Sequence, residues 1–506
     1  MRFRFFNARP MVIIFVSLVV GILLTNYFFN SKIIFVSVLA IFLALMVFYT
    51  IYCKKISVCI IMLLSALIGG LLLQFAICRT DNTEDVKVGG EVECVVVEKT
   101  AKYTNKLIVK DIKIDGKKYD FCAYLNCDQN TDYNFFEGNI IKFTIKSFYE
   151  YPLFRDDADI ISADLIEDKI KYNFSTDNIE QLSNKTTVRY KVKTRIKSIL
   201  SRALNSDNAE LMYSALLGDK TELSKDLYSN YQMSGVAHVL AVSGLHVGLI
   251  VMILKKILQR LKANKYAILC IIVAFLIGYS YLCNWSYSVL RASIMAIVVV
   301  LAPLFFREYD FLSSISFAGI IILLVSPYAL FDVSFVLSFM SVLGICILFP
   351  TIRKWLINHK KCNWFTESLG ISVATNLAIL VPSVYYFRSF NPIGVLSNII
   401  VLPLFSFIFT GTFVILCVSL VLPFAGYLLY LFNPLISLLN LITSIISSYS
   451  FSFDANKVKF LSIVVYGVVL MFASKFNIKS GISKVFSIVV MLAIFAIQLS
   501  LGFAFL

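Results

Sequence analysis

At 506 residues, with 59% hydrophobic and 15% charged side chains and a mean hydropathy of +0.81, the chain is too apolar for a water-soluble globular protein. Its net charge of +15 does not by itself indicate a nucleic-acid partner, because Lys and Arg gather in short loops between apolar runs. The composition predicts a polytopic α-helical membrane protein of about 12–13 spans carrying an inserted, extracytoplasmic small β-barrel of the OB kind.

Residues 1–78 read as N-terminal transmembrane helices, near 11–29, 33–52 and 56–77. The basic "MRFRFFNAR" before the first run resembles a signal peptide, but no small-residue cleavage site follows, so the run reads as an anchor. The basic loops, Arg2, Arg4 and Arg9, Lys54 and Lys55, Lys255 to Lys265, Arg353 to Lys361 and Lys475 to Lys484, fit one side of a positive-inside topology. This predicts a multi-pass membrane protein with a cytoplasmic N-terminus.

Residues 79–186 change character. Charged residues alternate with Val, Ile, Tyr and Phe at period two in "GGEVECVVVEKT", "KLIVKDIKI" and "IIKFTIKSF", which predicts short strands of an extracytoplasmic OB-like β domain. From Arg79 to Glu180 there are 14 Lys and Arg against 21 Asp and Glu, about −7 overall, the wrong sign for a general phosphate binder. Tyr103, Tyr119, Phe121 and Tyr124 are therefore read as packing residues in preference to base-stacking ones. The eleven cysteines show no metal-ligand spacing, and Cys122 and Cys127 fall where an oxidising compartment permits a disulfide.

Residues 187–233 read as interfacial amphipathic helices. In "VRYKVKTRIKSILSRAL", Val192, Ile196, Ile199, Leu200 and Ala203 share one face, with Lys and Arg opposite. The following "GDKT" lacks the glycine spacing of a phosphate loop, so no motor is read here.

Residues 234–506 form the main transmembrane domain, with spans expected near 236–254, 266–283, 287–306, 311–326, 329–349, 368–387, 404–422, 427–449, 459–474 and 485–503. "FNPIGVLSNIIVLP" is too short to cross and reads as a re-entrant half-helix. The first span opens on "HVLAVSGLHVGL". On an ideal helix, Ala237, Ala241, Gly244 and Gly248 form a small-residue packing stripe, and His238, Ser243 and His246 fill the adjacent arc. The two histidines serve equally as neutral hydrogen-bonding groups between helices or as functional residues. An i, i+3 Ser243–His246 pair also suggests an intramembrane Ser/His hydrolase, but no third residue or G-x-S-x-G turn accompanies it, and no catalytic residue is assigned. Asn284, Arg291, Asp332, Asn376 and Arg388 are further polar groups at membrane depth, the two arginines suited either to snorkelling or to holding phosphates.

"MSGVAHVLAVSGLHVGLI" resembles the signature of the ComEC competence family, and "ALLGDKTEL", "SVLRASIMA", "FVLSFMSVLGI" and "RSFNPIGVLSNIIVLPL" are similar to family blocks in the same order. The resemblance implies a channel that passes single-stranded DNA into the cytoplasm during natural transformation. His238, Ser243, His246, Arg291, Asn376 and Arg388 are then the expected DNA path. It also implies contact with membrane lipids, an external DNA receptor and, because an inside-negative potential opposes an entering anion, a cytoplasmic helicase-like ATPase. Neither a metal nor another cofactor is implied.

Two departures stand out. With three histidines and an end at Leu506, the chain is expected to lack the metallo-β-lactamase-like domain of many members. Val336 stands where the family often has Gln. A transporter of another anionic polymer or lipid remains the alternative reading beside the hydrolase.

Overall fold

The structure, a computed structural model, describes residues 9–28, 56–80 and 86–449, except 100–105, 120, 128–134, 151–169, 184, 222, 241, 307, 359–362, 388 and 391–392, and also 453–454, 463 and 466. The expected spans at 33–52 and 485–503, and nearly all of 459–474, lie outside the described residues, as do Ala241, Arg388 and Tyr103.

Two apolar helices, α1 (Pro10–Phe28) and α2 (Ile56–Thr80), precede the β domain. There the alternating segments form β1 (Glu91–Lys99), β2 (Lys106–Ile114), β3 (Lys117–Lys118), β4 (Cys122–Cys127), β5 (Ile140–Thr144), β6 (Ser147–Glu150), β7 (Ile170–Thr176) and β8 (Ile179–Ser183). They pair in the order β6-β7-β4-β2-β1-β5-β8, with β3 added to β2. The β4–β7 pair is parallel and the others antiparallel, so the sheet is mixed. Among the described residues β6 and β8 end the path without pairing to each other, so the sheet is not seen to close into the expected barrel. Val92, Cys94 and Val96 of β1, Leu107, Val109, Ile112 and Ile114 of β2 and Tyr172 and Phe174 of β7 enter one core. The period-two pattern breaks only in β2 between Val109 and Ile112, where the pairing with β1 is irregular and Asp111 adopts φ 52°. Tyr119 and Phe121 join it and pack with Tyr172, which takes their ring faces away from any base. Cys122 and Cys127 occupy opposite ends of the single strand β4, about 17 Å apart at the strand rise, so an extended strand keeps them from forming the disulfide considered above.

Three short helices lead into the membrane core: α3 (Val188–Ala203), α4 (Ser206–Leu217) and α5 (Lys225–Met233). Thr187 caps α3, its hydroxyl accepting from Tyr190 N–H. The predicted apolar face of α3 is confirmed, with Ile196, Ile199, Leu200 and Ala203 buried, but it packs into the protein core while Lys191, Arg195, Lys197 and Arg202 face outward.

The "GDKT" segment is a clasp. Gly218 ends α4 in the left-handed conformation (φ 74°), and Asp219 then accepts from Lys193 at 2.9 Å and from the Thr221 hydroxyl at 2.7 Å. Burial acts to raise the Asp219 carboxyl, but the Lys193 ammonium and the Thr221 hydrogen bonds outweigh it and hold the carboxyl below its ordinary value.

The core comprises α6 (Gly244–Arg260), α7 (Lys265–Leu282), α8 (Tyr287–Leu301), α9 (Phe311–Val325), α10 (Val333–Ile347), α11 (Phe349–Asn358), α12 (Trp364–Phe387), α13 (Gly394–Val421) and α14 (Asn433–Ser448). Among the described residues, five segments are long and apolar enough to cross a membrane: Lys265–Leu282, Tyr287–Phe305, Val333–Asn358, Phe365–Phe387 and Gly394–Val421. A sixth exists if Pro423–Leu431 and Asn433–Ser448, bent by 44°, form one crossing. Pro10–Asn26, Ile61–Ile77 and Phe311–Val325 are apolar but shorter.

Two expectations change here. The half-helix expected at 390–403 is instead largely the first part of the 28-residue α13, which continues through the exposed Pro403. The span expected at 236–254 is broken, as described below.

Arg189 links the β domain to this core. Arg189 donates from Nε to both carboxylate oxygens of Glu137, at 2.9 and 3.1 Å, and from Nη1 to Asn284 Oδ1. Its guanidinium also lies over the Tyr281 ring. Asn284 and Trp285, both at φ 54°, form the turn between α7 and α8. At the other end of α8, Asp310 caps α9 and receives both Nε and Nη2 of Arg9. Because α8 separates the two contacts, the β domain docks at the end of the bundle opposite Arg9.

Removing one partner of a buried ion pair costs about 3–5 kcal/mol, because the other charge is stranded. Arg189→Met should therefore lower the melting temperature of the full chain in detergent, and adding Glu137→Leu should restore most of the loss. Melting curves of the two single variants and the double variant measure this coupling.

The Asp219 clasp has a signed pH dependence. A carboxyl held low in the fold contributes stability above its unfolded value, near 4, and loses that contribution as pH falls through the lower folded value. The gap in melting temperature between wild type and Asp219→Asn should therefore be full at pH 7 and shrink below pH 4.

Candidate functional site

"HVLAVSGLHVGL" does not form one helix. Ala237–Leu240 is a single 3-10 turn, Ser243 is extended (φ −99°, ψ 163°) and α6 begins at Gly244. The ideal-helix stripe of Ala237, Ala241, Gly244 and Gly248 is therefore not built. The break frees backbone groups inside an apolar core, and side chains satisfy them. Ser214 of α4 donates its hydroxyl to Leu240 O at 3.1 Å, and His246 Nδ1 accepts from Ser243 N–H at 3.2 Å.

His246 is consequently a capping residue three positions into its own helix. An accepting Nδ1 carries no proton, which assigns the ring proton to Nε2. The ring is 1% exposed, stacked at 4.3 Å on Phe409 and tilted at 5.3 Å against Phe405, both of α13. The Ser243–His246 contact runs through the serine's backbone N–H, so it does not set up a hydroxyl–imidazole nucleophile pair. His238 differs: its side chain is exposed, and it lies close enough to His246 to interact electrostatically.

Arg291 projects from the second turn of α8 into this region. It is 4% exposed, and its Nη1 donates to Ser338 O of α10. A Cβ added to Gly244 would lie 2.6 Å from its Nη2, so the guanidinium rests directly on the start of α6. Packed between α6 and α10, with its charge 5.9 Å from the Phe339 ring centroid, Arg291 does not snorkel.

The other predicted residues are placed as follows. Asn376 donates to Ser372 O at 2.9 Å on its own helix, and Ser372 donates to Val395 O at the start of α13. There Gly394 sits against the Gly235 backbone, just before the His238 turn. Asp332 caps α10 through Phe335 N–H, and Asn284 holds Arg189, so both have structural roles. The structure thus brings His238, Ser243, His246 and Arg291 together and reaches Asn376 through α13. Ser214, Phe405 and Phe409 were not anticipated, and the i, i+4 phenylalanines gave no signal in the sequence.

These features define a multi-pass helical membrane protein with a mixed β domain docked on one end of its helix bundle. The profile of the family described as "Competence: Competence protein" matches residues 215–477, just over half of the chain, and the chain belongs to that family. It is 30% identical over 287 residues to "ComE operon protein 3" of Bacillus subtilis (strain 168), covering 56% of this chain and 36% of that protein. It is 25% identical over 211 residues to "Recombination protein 2" of Haemophilus influenzae, covering 39% of this chain and 27% of the relative. An uncharacterized protein of Aquifex aeolicus is 30% identical over 232 residues, 45% of this chain and 51% of its own length. The chain thus aligns with between about a quarter and a half of the length of these relatives. No solved structure matches.

The two glycines of α6 should behave oppositely. Gly244→Ala drives a methyl group into a buried, hydrogen-bonded guanidinium and should cost about 1–3 kcal/mol. Gly248 has open space at its Cβ position inside the helix, so Gly248→Ala should be neutral or stabilise by up to about 1 kcal/mol. Thermal melts of the two purified variants test the contrast.

Proposed function

We propose that the chain forms the membrane passage by which single-stranded DNA enters the cytoplasm during natural transformation. Membership of the competence family, over residues 215–477, is the observation that carries this reading. The local geometry is consistent with it. A polyanion cannot cross hydrocarbon, and the helix break between Leu240 and Gly244, with the exposed imidazole of His238 beside it, is irregular backbone of the kind membrane proteins tolerate where it is buried in protein or lines a cavity.

His238 is assigned to the wall of the path. Ser243 and His246 hold the broken segment in shape, Arg291 and Asn376 lie behind it, and Arg388 is assigned to the same route from its sequence position. On this reading the division into 1–78, 79–186, 187–233 and 234–506 separates anchor, mouth, interfacial collar and passage. The β domain, which docks at the end opposite Arg9, faces outward with the N-terminus inside. Its acidic charge then guards the entrance against unspecific binding, and a separate receptor delivers the strand. A cytoplasmic helicase-like ATPase supplies the pull, since the membrane potential opposes it.

A labelled-DNA uptake assay tests the proposal. Deleting the gene in a transformable host should abolish entry of label into the protected cytoplasmic pool while surface binding persists; normal entry after deletion would overturn it. His238→Ala, at wild-type membrane abundance, should lower entry, and unchanged entry would remove His238 from the path.

A further inference from the structure

We infer that the guanidinium of Arg291 and the N-terminus of α6 together form a seat for one phosphodiester anion of the passing strand, a site that rests on the uptake reading for its ligand but not for its chemistry. The inference begins with an electrostatic imbalance. Arg9, Arg189 and Lys193 each face a carboxylate at 2.9 Å. Among the described residues Arg291, more deeply buried than any of them, has none: its partners are one carbonyl oxygen and the Phe339 ring, and its Nε is buried with no acceptor. A cation removed from water without a counter-charge is costly to the fold.

The neighbour on its open side worsens the imbalance. Nη2 lies against Gly244, the first residue of the 17-residue helix α6. The first-turn N–H groups of a helix have no intrahelical acceptor, and their aligned dipoles carry partial positive charge. His246 already serves the N–H of Ser243, one residue earlier, and brings no negative charge. A guanidinium and a helix N-terminus therefore converge with nothing acidic between them, and each independently favours an anion.

Phosphate chemistry fits both halves. A phosphodiester oxygen can take Nε and Nη2 of Arg291, while a second oxygen faces the α6 N–H groups. Transport proteins also aim the N-termini of interrupted helices at anionic substrate groups. Because Arg291 faces α6 and α10 within the bundle, a strand in the passage is favoured over a lipid headgroup. Its burial means that the anion is received as α6 and α8 part, one phosphate at a time. Arg291 stands one turn, about 6 Å, from the end of α8 where the β domain docks, so the seat is near the mouth.

The full chain in phosphatidylcholine nanodiscs, with a fluorescent oligothymidylate as probe, tests this by anisotropy across a salt series. Wild type should bind, Arg291→Gln should bind about tenfold more weakly with a log–log salt slope smaller by about one, and Arg291→Lys should fall between. Without oligonucleotide, Arg291→Gln should melt above wild type, because an uncompensated charge is gone; this also shows that the variant is folded. Equal affinity and slope for wild type and Arg291→Gln would overturn the inference, as would absence of any binding by wild type. Arg291-dependent stabilisation by phosphatidylglycerol, but not by oligothymidylate, would assign the seat to lipid and overturn the strand assignment. None of these results bears on whether gene deletion abolishes uptake, so failure of the seat and failure of the uptake reading remain distinguishable.

Discussion

Backbone polar groups inside an apolar core must find partners within the protein, and the break between Leu240 and Gly244 makes that constraint local and severe. Two side chains meet it. Ser214 reaches from α4 to the carbonyl of Leu240, and His246 folds back to the N–H of Ser243. Each contact fixes a neighbour in turn. Ser214 ties α4 to the 3-10 turn, and the carbonyl of Leu216 on the same helix accepts from Tyr279 of α7. His246, immobilised by its cap, presents a ring on which Phe409 stacks and against which Phe405 tilts, so the position of α13 against α6 follows from the cap. The interrupted helix is thus an organising element of the bundle.

Charge is handled by the opposite rule at most positions. Where a cation is partly or fully buried, a carboxylate is placed beside it: Asp219 for Lys193, Glu137 for Arg189, Asp310 for Arg9. These three pairs also join segments far apart in sequence, fastening α3 to the end of α4, the β domain to α3 and the start of α1 to α9. Breaking any of them strands a charge, which makes them strong determinants of register despite a modest net contribution. Arg291 stands out because, among the described residues, the chain that supplied counter-ions elsewhere supplies none there.

Much of this was readable from residue pattern. Period-two alternation located β1, β2 and β5 because one face of each is buried, and the apolar face of α3 followed from its 3.6 period, although that face meets protein in preference to lipid. Three features were hidden for physical reasons. Helical breaks in apolar surroundings leave no compositional trace, since the capping acceptor at His246 looks like any polar residue on a helix. Pro403 reads as a terminator locally, yet α13 runs through it, packed along its length on the buried Val401, Phe405, Ile408 and Phe409. Sheet closure depends on pairing, which a single strand's sequence does not encode. At the candidate site the polar residues were legible one by one, while the contact between Arg291 and Gly244 is created only by packing α8 against α6.

The turn at Asn284–Trp285 links the β domain to the buried cation. Asn284 accepts from Arg189, which is held by Glu137 of the β domain, and α8 begins three residues after Asn284, at Tyr287, following the cap Ser286. Arg291 follows within one turn, and within a rigid helix the guanidinium cannot change its distance from Gly244 independently of that turn. The β domain therefore reaches the start of α6 through one ion pair, one strained turn and one helical turn. A shift of the β domain that loosens the Glu137–Arg189 pair is mechanically placed to move Arg291 relative to α6, whereas a shift at the Arg9–Asp310 end acts at the far end of α8 and has no such short route. The geometry makes the docked end of the bundle the end from which the buried cation can be exposed.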